Sequence, residues 1–313
     1  MSDVILLVGH GSRDKAGNAE IESFAQQWRA RKPDWQIQVC FIEFAEVLLD
    51  AGLKRAARSG NRVVVVPLIL NAAGHVKMEI PQHIAEVREE FPHVEFVYTP
   101  HLGACDPILK ILKRRLHDAM DQLDMPDPST TGIILLGRGS SDKMANGDVA
   151  KMARWLQEEG RHEFVEIAFT GITYPRLEKV VQRQVLLGMT QIIVLPYYLF
   201  TGTLIERIVR QVDHLRNQYP LIRFARGNYF GFETEIYELL ESNVVGALKG
   251  KPEAVMPCDG CKYREVAQEH GFGHSHSHTA VPDHHHNEQG HDHHYNEHGH
   301  DHSHEHDHTH SHA

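Results

Sequence analysis

One passage occurs twice in this chain. Residues 4–14 read VILLVGHGSRD, and residues 133–142 read IILLGRGSSD. The continuations also run in parallel, DKAGNAEIESFAQQW after the first and DKMANGDVAKMARWL after the second. A repeat of this kind limits the architecture before any local pattern is read. Its offset of about 128 residues is too long for a solenoid unit and suits two copies of one domain. The copies differ at one telling place: His10 of the first is Arg138 in the second.

Within each copy, short apolar runs alternate with stretches of helical period. In the first, residues 4–8, 36–44, 62–70 and 94–99 read as strands, and Pro67 predicts a bulge or a strand end. Ile21, Phe24, Ala25 and Trp28 fall at i, i+3, i+4 and i+7, one buried face of a helix that ends before Pro33. Further helices are predicted over 47–58, 78–90 and 106–121, with 71–75 as a loop. The second copy predicts strands at 132–136, 163–170, 191–197 and 222–225 and helices at 149–159, 204–219 and 233–248. Strands alternating with helices imply parallel pairing with helices on both faces and right-handed crossovers. The expected fold is therefore α/β, with two tandem duplicated domains and an active cleft between them. The domains are placed at 1–125 and 132–250, joined by a Pro-containing linker at 126–131.

Composition separates the C-terminal end. Of 26 histidines, 18 lie from His270 onward, so residues 270–313 are a His-rich tail expected to be disordered and to bind divalent metals. Such binding is lost below about pH 6, where imidazole protonates. Its HDH and HSH units are too long and too varied for a purification tag. A segment at 251–269 carries Cys258 and Cys261, a CxxC pair suited to redox chemistry or to half a metal site. Four cysteines in all make no disulfide framework, so a reducing cytoplasm is expected. The net charge of -10 argues against nucleic acid as a partner. No run approaches a membrane span, and MSDVILL enters a strand with no signal-peptide pattern.

In open parallel sheets, ligands bind beyond the carboxyl ends of the strands. Strand one delivers His10, Gly11, Ser12 and Arg13, strand two Glu43 and Glu46, and strand three Asn71 to His75. Strand alternation would send Glu43 and Glu46 to opposite faces, so a turn must intervene if both are to reach one site. In the second copy His10 becomes Arg138, Glu43 becomes Gly171, Glu46 becomes Tyr174 and His75 becomes Leu204. A lone His after a strand is often a hydrogen-bonded turn residue. The joint loss of four polar groups on a retained apolar frame instead implies one working site, in the first copy. Two imidazoles and two carboxylates suit Co, Ni, Fe or Zn, with carboxylates moving protons. Only two strong nitrogen ligands favours a metal held loosely and handed on over a closed structural site. No GxxxxGK[ST] is present, so ATP is not expected, and GxSxG is absent.

LLVGHGSRD, FIEFAE and VVVVPLILNAAGH, together with MPCDGC and the His-rich tail, resemble the ATP-independent sirohydrochlorin chelatases in their long, CbiX-type cobaltochelatase form. The resemblance covers about residues 4–250. It implies insertion of Co(II) into sirohydrochlorin for cobalamin, with Fe(II) insertion for siroheme as the alternative within the class. A metal store without turnover is the alternative from another class. It further implies that His10 and His75 bind the metal and that His10 also accepts a proton. Glu46 and the loop Leu70, Asn71, Ala72, Ala73, Gly74, His75 would contact the tetrapyrrole. Glu43 is added as catalytic from its place at the strand-two end. Ser12 and Arg13 join the substrate contacts, and Arg13, Lys77, Arg138 and Arg176 are cationic candidates for its carboxylates. The resemblance also suggests an iron–sulfur cluster at Cys258 and Cys261, although two thiolates are half of what a four-iron cluster takes. A bare dithiol holding zinc or nickel is the other reading. A fused duplication builds the cleft within one chain, so a monomer is expected unless a cluster bridges two chains.

Overall fold

The structure, a computed structural model, describes residues 3–249. The 251–269 segment with Cys258 and Cys261, and the 270–313 tail, lie outside the described residues. The first half runs β1 (Asp3–Gly9), α1 (Lys15–Arg31), β2 (Gln36–Phe41), α2 (Leu49–Ser59), β3 (Arg62–Pro67), a π-helical turn (His75–Glu79), α3 (Ile80–Glu90), β4 (Glu95–Tyr98) and α4 (Asp106–Met120). The second repeats the order: β5 (Thr131–Gly137), α5 (Lys143–Glu159), β6 (Val165–Phe169), α6 (Leu177–Leu186), β7 (Gln191–Pro196), α7 (Thr203–Gln218), β8 (Arg223–Arg226) and α8 (Thr234–Leu248). Each half forms a four-stranded parallel sheet, in the orders β2-β1-β3-β4 and β6-β5-β7-β8. Among the described residues no helix is long and apolar enough to cross a membrane.

The duplication extends to the backbone. Gly11 and Gly139 have φ of 89° and 85°, and the non-glycine residues Phe44 and Ile172 have 55° and 61°. Strand two ends at Phe41, three residues before its predicted end, because the chain turns there instead of staying extended. The bends over 42–47 separate Glu43 from Glu46, which is exposed. β3 ends at Pro67, whose ring nitrogen has no hydrogen to give a ladder. α5 starts at Lys143, six residues before its predicted start, capped by Asp142, whose Oδ1 accepts from Met144 N at 2.9 Å. α6 was not predicted. Its buried positions include Gln184, which interrupts the apolar period and donates to the Ile133 carbonyl at 3.2 Å. His75 belongs to the π turn, one residue beyond the loop proper.

The halves exchange their last helices. α4 of the first packs on β7 and β8, and α8 of the second packs on β3. One core therefore runs through both halves, joining Ile5, Phe24 and Trp28 to Ile133, Met152 and Tyr237. Phe24 and Tyr237 stack across this junction with centroids 4.1 Å apart. The outer faces carry separate cores, under α2 and α3 in the first half and under α6 and α7 in the second. This arrangement holds the two sheets as one body, with the loops beyond their strand ends in contact through Arg138–His10 and Lys77–Asp142.

Charge reinforces the exchange. On α4, Arg114 donates to Glu235 (3.0 Å) and to Glu233 (2.5 Å), and Arg115 pairs with Glu233. The Arg114 hydrogen bonds hold the Glu235 carboxyl down at about 2, below the 4.5 of an unfolded chain. A depressed carboxylate stabilises the fold above its unfolded pKa and loses that contribution as pH falls toward the folded one. Stability should thus drop between about pH 4.5 and 2. Arg114→Ala should flatten that part of the profile, which chemical denaturation at a series of pH values would read.

Candidate active site

β1 and β2 carry the first two groups to the cleft. Ser12 and Asn18 fix the loop after β1: Ser12 N donates to Asn18 Oδ1 (2.8 Å), and Asn18 Nδ2 returns to the Ser12 carbonyl (3.0 Å) and reaches the Phe44 carbonyl (2.8 Å). Ser12 Oγ accepts from Asp14 N at 3.1 Å, and Asp14 caps α1. Ser140, Asn146 and Asp142 repeat this pattern in the second half, where the histidine is gone. The Ser12 hydroxyl is thus engaged in the turn. The Asn18 tie to the Phe44 carbonyl draws the two loops together, and Gly11 at φ 89° lets the chain pass close to Glu43.

His10, Glu43 and His75 come together. One ligand atom from each lies within 4.8 Å of the others, the only such group of three among the described residues. The two rings meet edge to face, centroids 4.8 Å apart. Their nitrogens are not equivalent. His10 Nδ1 lies 3.2 Å from the Gly11 carbonyl, which only accepts, so Nδ1 carries the proton and donates it there. Glu43 Oε1 is 3.4 Å from the same nitrogen. Nε2 is then the lone-pair nitrogen, and Arg138 Nη1 donates to it at 3.2 Å. His75 Nδ1 is 2.5 Å from Glu79 Oε2, so Nε2 is the nitrogen left to ligate. A carboxylate behind an imidazole fixes its orientation and raises its basicity toward a metal. Burial is the main cause that holds the His10 imidazole below its ordinary range, with His75 and Arg138 adding to it and the Gly11 carbonyl and Glu43 opposing. His10 is neutral near pH 7, as ligation needs.

Two ligands on one ion at 2.0–2.2 Å stand at most about 4.4 Å apart. The triad, with ligand atoms within 4.8 Å of one another, is therefore slightly wider than a closed metal site. The three side chains are 30%, 35% and 37% exposed at His10, Glu43 and His75, so an ion can enter and leave.

Other predicted residues divide. Glu46 is exposed on the loop that carries Glu43. Leu70 and Ala72 have buried side chains and present only backbone, while Ala73 and Gly74 are more open. Asn71 has a buried Oδ1 with no partner among the described residues. Arg13 lies over the Phe44 ring and Arg176 over Tyr174, at 4.9 and 4.8 Å. Lys77 is not a solvated anchor: it is largely buried and gives Nζ to Asp142 Oδ2 at 2.5 Å across the halves. Glu79 was missed. Its signal is an acidic residue four places after His75, one turn along a helix. The two residues lie in the π turn, a deviation that recurs at functional sites.

The CbiX family model matches residues 4–119 and again 132–247, the two halves of the fold. A sirohydrochlorin cobaltochelatase of Priestia megaterium is 38% identical over 85% of this chain and 86% of that protein. A sirohydrochlorin ferrochelatase of Bacillus subtilis (strain 168) is 30% identical over 85% of this chain and 100% of its own length. Among solved structures, the sirohydrochlorin chelatase SirB from Bacillus subtilis subspecies spizizenii in complex with cobalt superposes with a TM-score of 0.67 at 27% identity. That match covers 82% of this chain and 99% of SirB. A doubled family match that coincides with two parallel sheets, together with relatives matched over most of their length, places this chain in the CbiX family.

Proposed function

We propose that the chain inserts Co(II) into sirohydrochlorin without ATP, at the cleft site of its first half. The observation that carries this reading is the His10–Glu43–His75 triad, with His10 Nδ1 held by the Gly11 carbonyl, His75 Nδ1 held by the Glu79 carboxylate, and Arg138, Gly171 and Leu204 at the equivalent second-half positions. The similarity to a cobaltochelatase at 38% identity supports cobalt over iron, and ferrochelatases at 31% and 30% identity keep iron as the second reading.

The chemistry is an exchange of two pyrrole protons for one dication, so no redox partner or nucleotide enters the balance. His10 and His75 present the metal through Nε2. As the ion passes to the ring nitrogens, the His10 lone pair is released and accepts one proton. Glu43, at 3.4 Å, is the next acceptor. A flat macrocycle hides its nitrogen lone pairs, so the ring is bound bent toward the metal; a bound structure with a planar ring would count against this. Glu46, Asn71, the open part of the 70–75 loop and the cations Arg13, Arg138 and Arg176 meet the polycarboxylate rim.

The test is anaerobic mixing of the full chain with sirohydrochlorin and Co(II) or Fe(II), following the absorption of the ring. Insertion well above the spontaneous rate, faster with Co(II), is expected. No acceleration with either metal would sink the reading and leave a metal store as the better account. Glu79→Gln should weaken the metal's apparent affinity by about 10–100-fold with little change in kcat at saturating metal, because Glu79 touches His75 and not the ion. A titration of rate against free Co(II) checks this.

A further inference from the structure

His10 and Arg138 occupy equivalent positions of the two copies, and their side chains touch. Equivalent groups meet only near the axis that relates the halves, so the second copy places a cation directly at the metal-binding histidine of the first. The contact is specific to one nitrogen. A guanidinium has no acceptor and does not deprotonate in proteins, so the 3.2 Å contact from Arg138 Nη1 takes the single lone pair of His10 Nε2. The other nitrogen gives its proton to the Gly11 carbonyl. Metal and arginine therefore compete for the same electron pair. A dication about 2 Å from Nε2 would also face the guanidinium charge at short range.

We propose that Arg138 is a gate on the metal-binding nitrogen of His10, and that a carboxylate of the tetrapyrrole opens it; this rests on the reading above. Arg138 is exposed at the cleft, so its side chain is free to swing. A charge-assisted, two-point pairing with a carboxylate is stronger than one hydrogen bond to a neutral imidazole. An arriving polycarboxylate draws the guanidinium away, and the Nε2 lone pair becomes available to the ion. The two substrates are coupled through one residue: the tetrapyrrole raises the affinity of His10 for metal, and by linkage the metal raises the affinity for the tetrapyrrole. Metal is then loaded where a ring is ready to take it. The same residue adds a second-half cation to the substrate contacts, which gives the loss of histidine at position 138 a use.

The test reads His10 itself. Diethyl pyrocarbonate is a neutral electrophile that acylates imidazole at its free lone pair, and peptide mapping reports each histidine of the full chain separately, so the His-rich tail does not interfere. Without metal, Arg138→Ala should speed acylation of His10 by about fivefold, the worth of one ordinary hydrogen bond, with His75 unchanged. Loss of the Arg138 charge also acts through protonation of His10, which Arg138 helps to hold neutral, so the rates are compared at about pH 8, where the imidazole is neutral in both proteins. In steady-state insertion, the same variant should show a lower apparent KM for Co(II) at sub-saturating sirohydrochlorin and a higher KM for sirohydrochlorin. An unchanged His10 acylation rate would overturn the gate. Two Michaelis constants that both stay put or move in the same direction would overturn the coupling. If the wild type inserts no metal at all, the proposed function fails, while a faster His10 acylation would still establish the contact.

Discussion

His10→Ala is expected to lower kcat/KM for metal insertion by about 10³-fold, with the fold intact. The size follows from two losses at one atom. In the proposed reaction Nε2 of His10 both presents the metal and accepts a pyrrole proton, so its removal takes away a ligand and a base together. His75→Ala removes a ligand only, and about 10² is expected there. Neither variant should lose much stability. The His10 side chain is 30% exposed and that of His75 37%, so truncation leaves little buried cavity. A change within about 1 kcal/mol, or a few degrees in thermal midpoint, is the expectation. The rate should be measured across a range of Co(II) concentrations, so that kcat/KM for the metal is read, with the midpoint determined on the same sample. Full activity in His10→Ala would remove the histidine from the mechanism. A large fall in the midpoint would instead make it a structural turn residue, the ordinary role of a histidine after a strand.

The site was legible in the sequence where the two copies differ, because difference on a shared frame separates function from scaffold. His10, Glu43, Glu46 and His75 stand out in that comparison; the structure brings His10, Glu43 and His75 within 4.8 Å of one another and leaves Glu46 exposed on its loop. Ser12 did not differ from Ser140, and its hydroxyl serves the turn in both halves. Glu79 was illegible for a physical reason: it acts through His75, and an acidic residue at helical spacing looks like any solvated surface charge. The same holds for Lys77, whose neighbourhood with Asp142 exists only once the halves are assembled. The exchange of α4 and α8 left no trace either. An apolar helix face records that it is covered and not by which sheet, so Ile108, Leu112 and Leu116 read the same on either partner. Helix α6 was hidden by buried Gln184, where a hydrogen bond to the Ile133 carbonyl replaces the apolar contact that periodicity seeks.

Gly11→Ala is expected to be the most damaging single methyl group among the described glycines, since its Cβ would make the closest contact of any. Gly11 has φ of 89°, a conformation that costs an L residue about 1–2 kcal/mol. A Cβ there would also stand 1.7 Å from the Glu43 carbonyl oxygen, which is backbone and cannot rotate away. The loops after β1 and β2 must then part, and the hydrogen bond from Glu43 N to the His10 carbonyl, 3.1 Å long, is lost with them. Strain and overpacking together should cost about 3 kcal/mol or more, a fall of roughly 6–12 °C in thermal midpoint for a body of this size. Activity should fall further than stability explains, because the separation moves His10 away from Glu43. Gly139, the equivalent residue, has φ of 85° and a Cβ position 2.3 Å from the Gly171 carbonyl oxygen, so this glycine is kept by backbone geometry whether or not a histidine precedes it. Gly52→Ala is the useful control. Its Cβ would lie 2.3 Å from Cys40 Cβ, between α2 and β2, and overpack a core away from the triad. Both variants should melt early, but well below its midpoint Gly52→Ala should keep a kcat within about threefold of wild type, since the triad is untouched. Gly11→Ala should lose about 10²-fold under the same conditions, the scale of a misplaced reacting group. Equal losses of kcat in the two would mean that the close approach at Gly11 serves the fold alone.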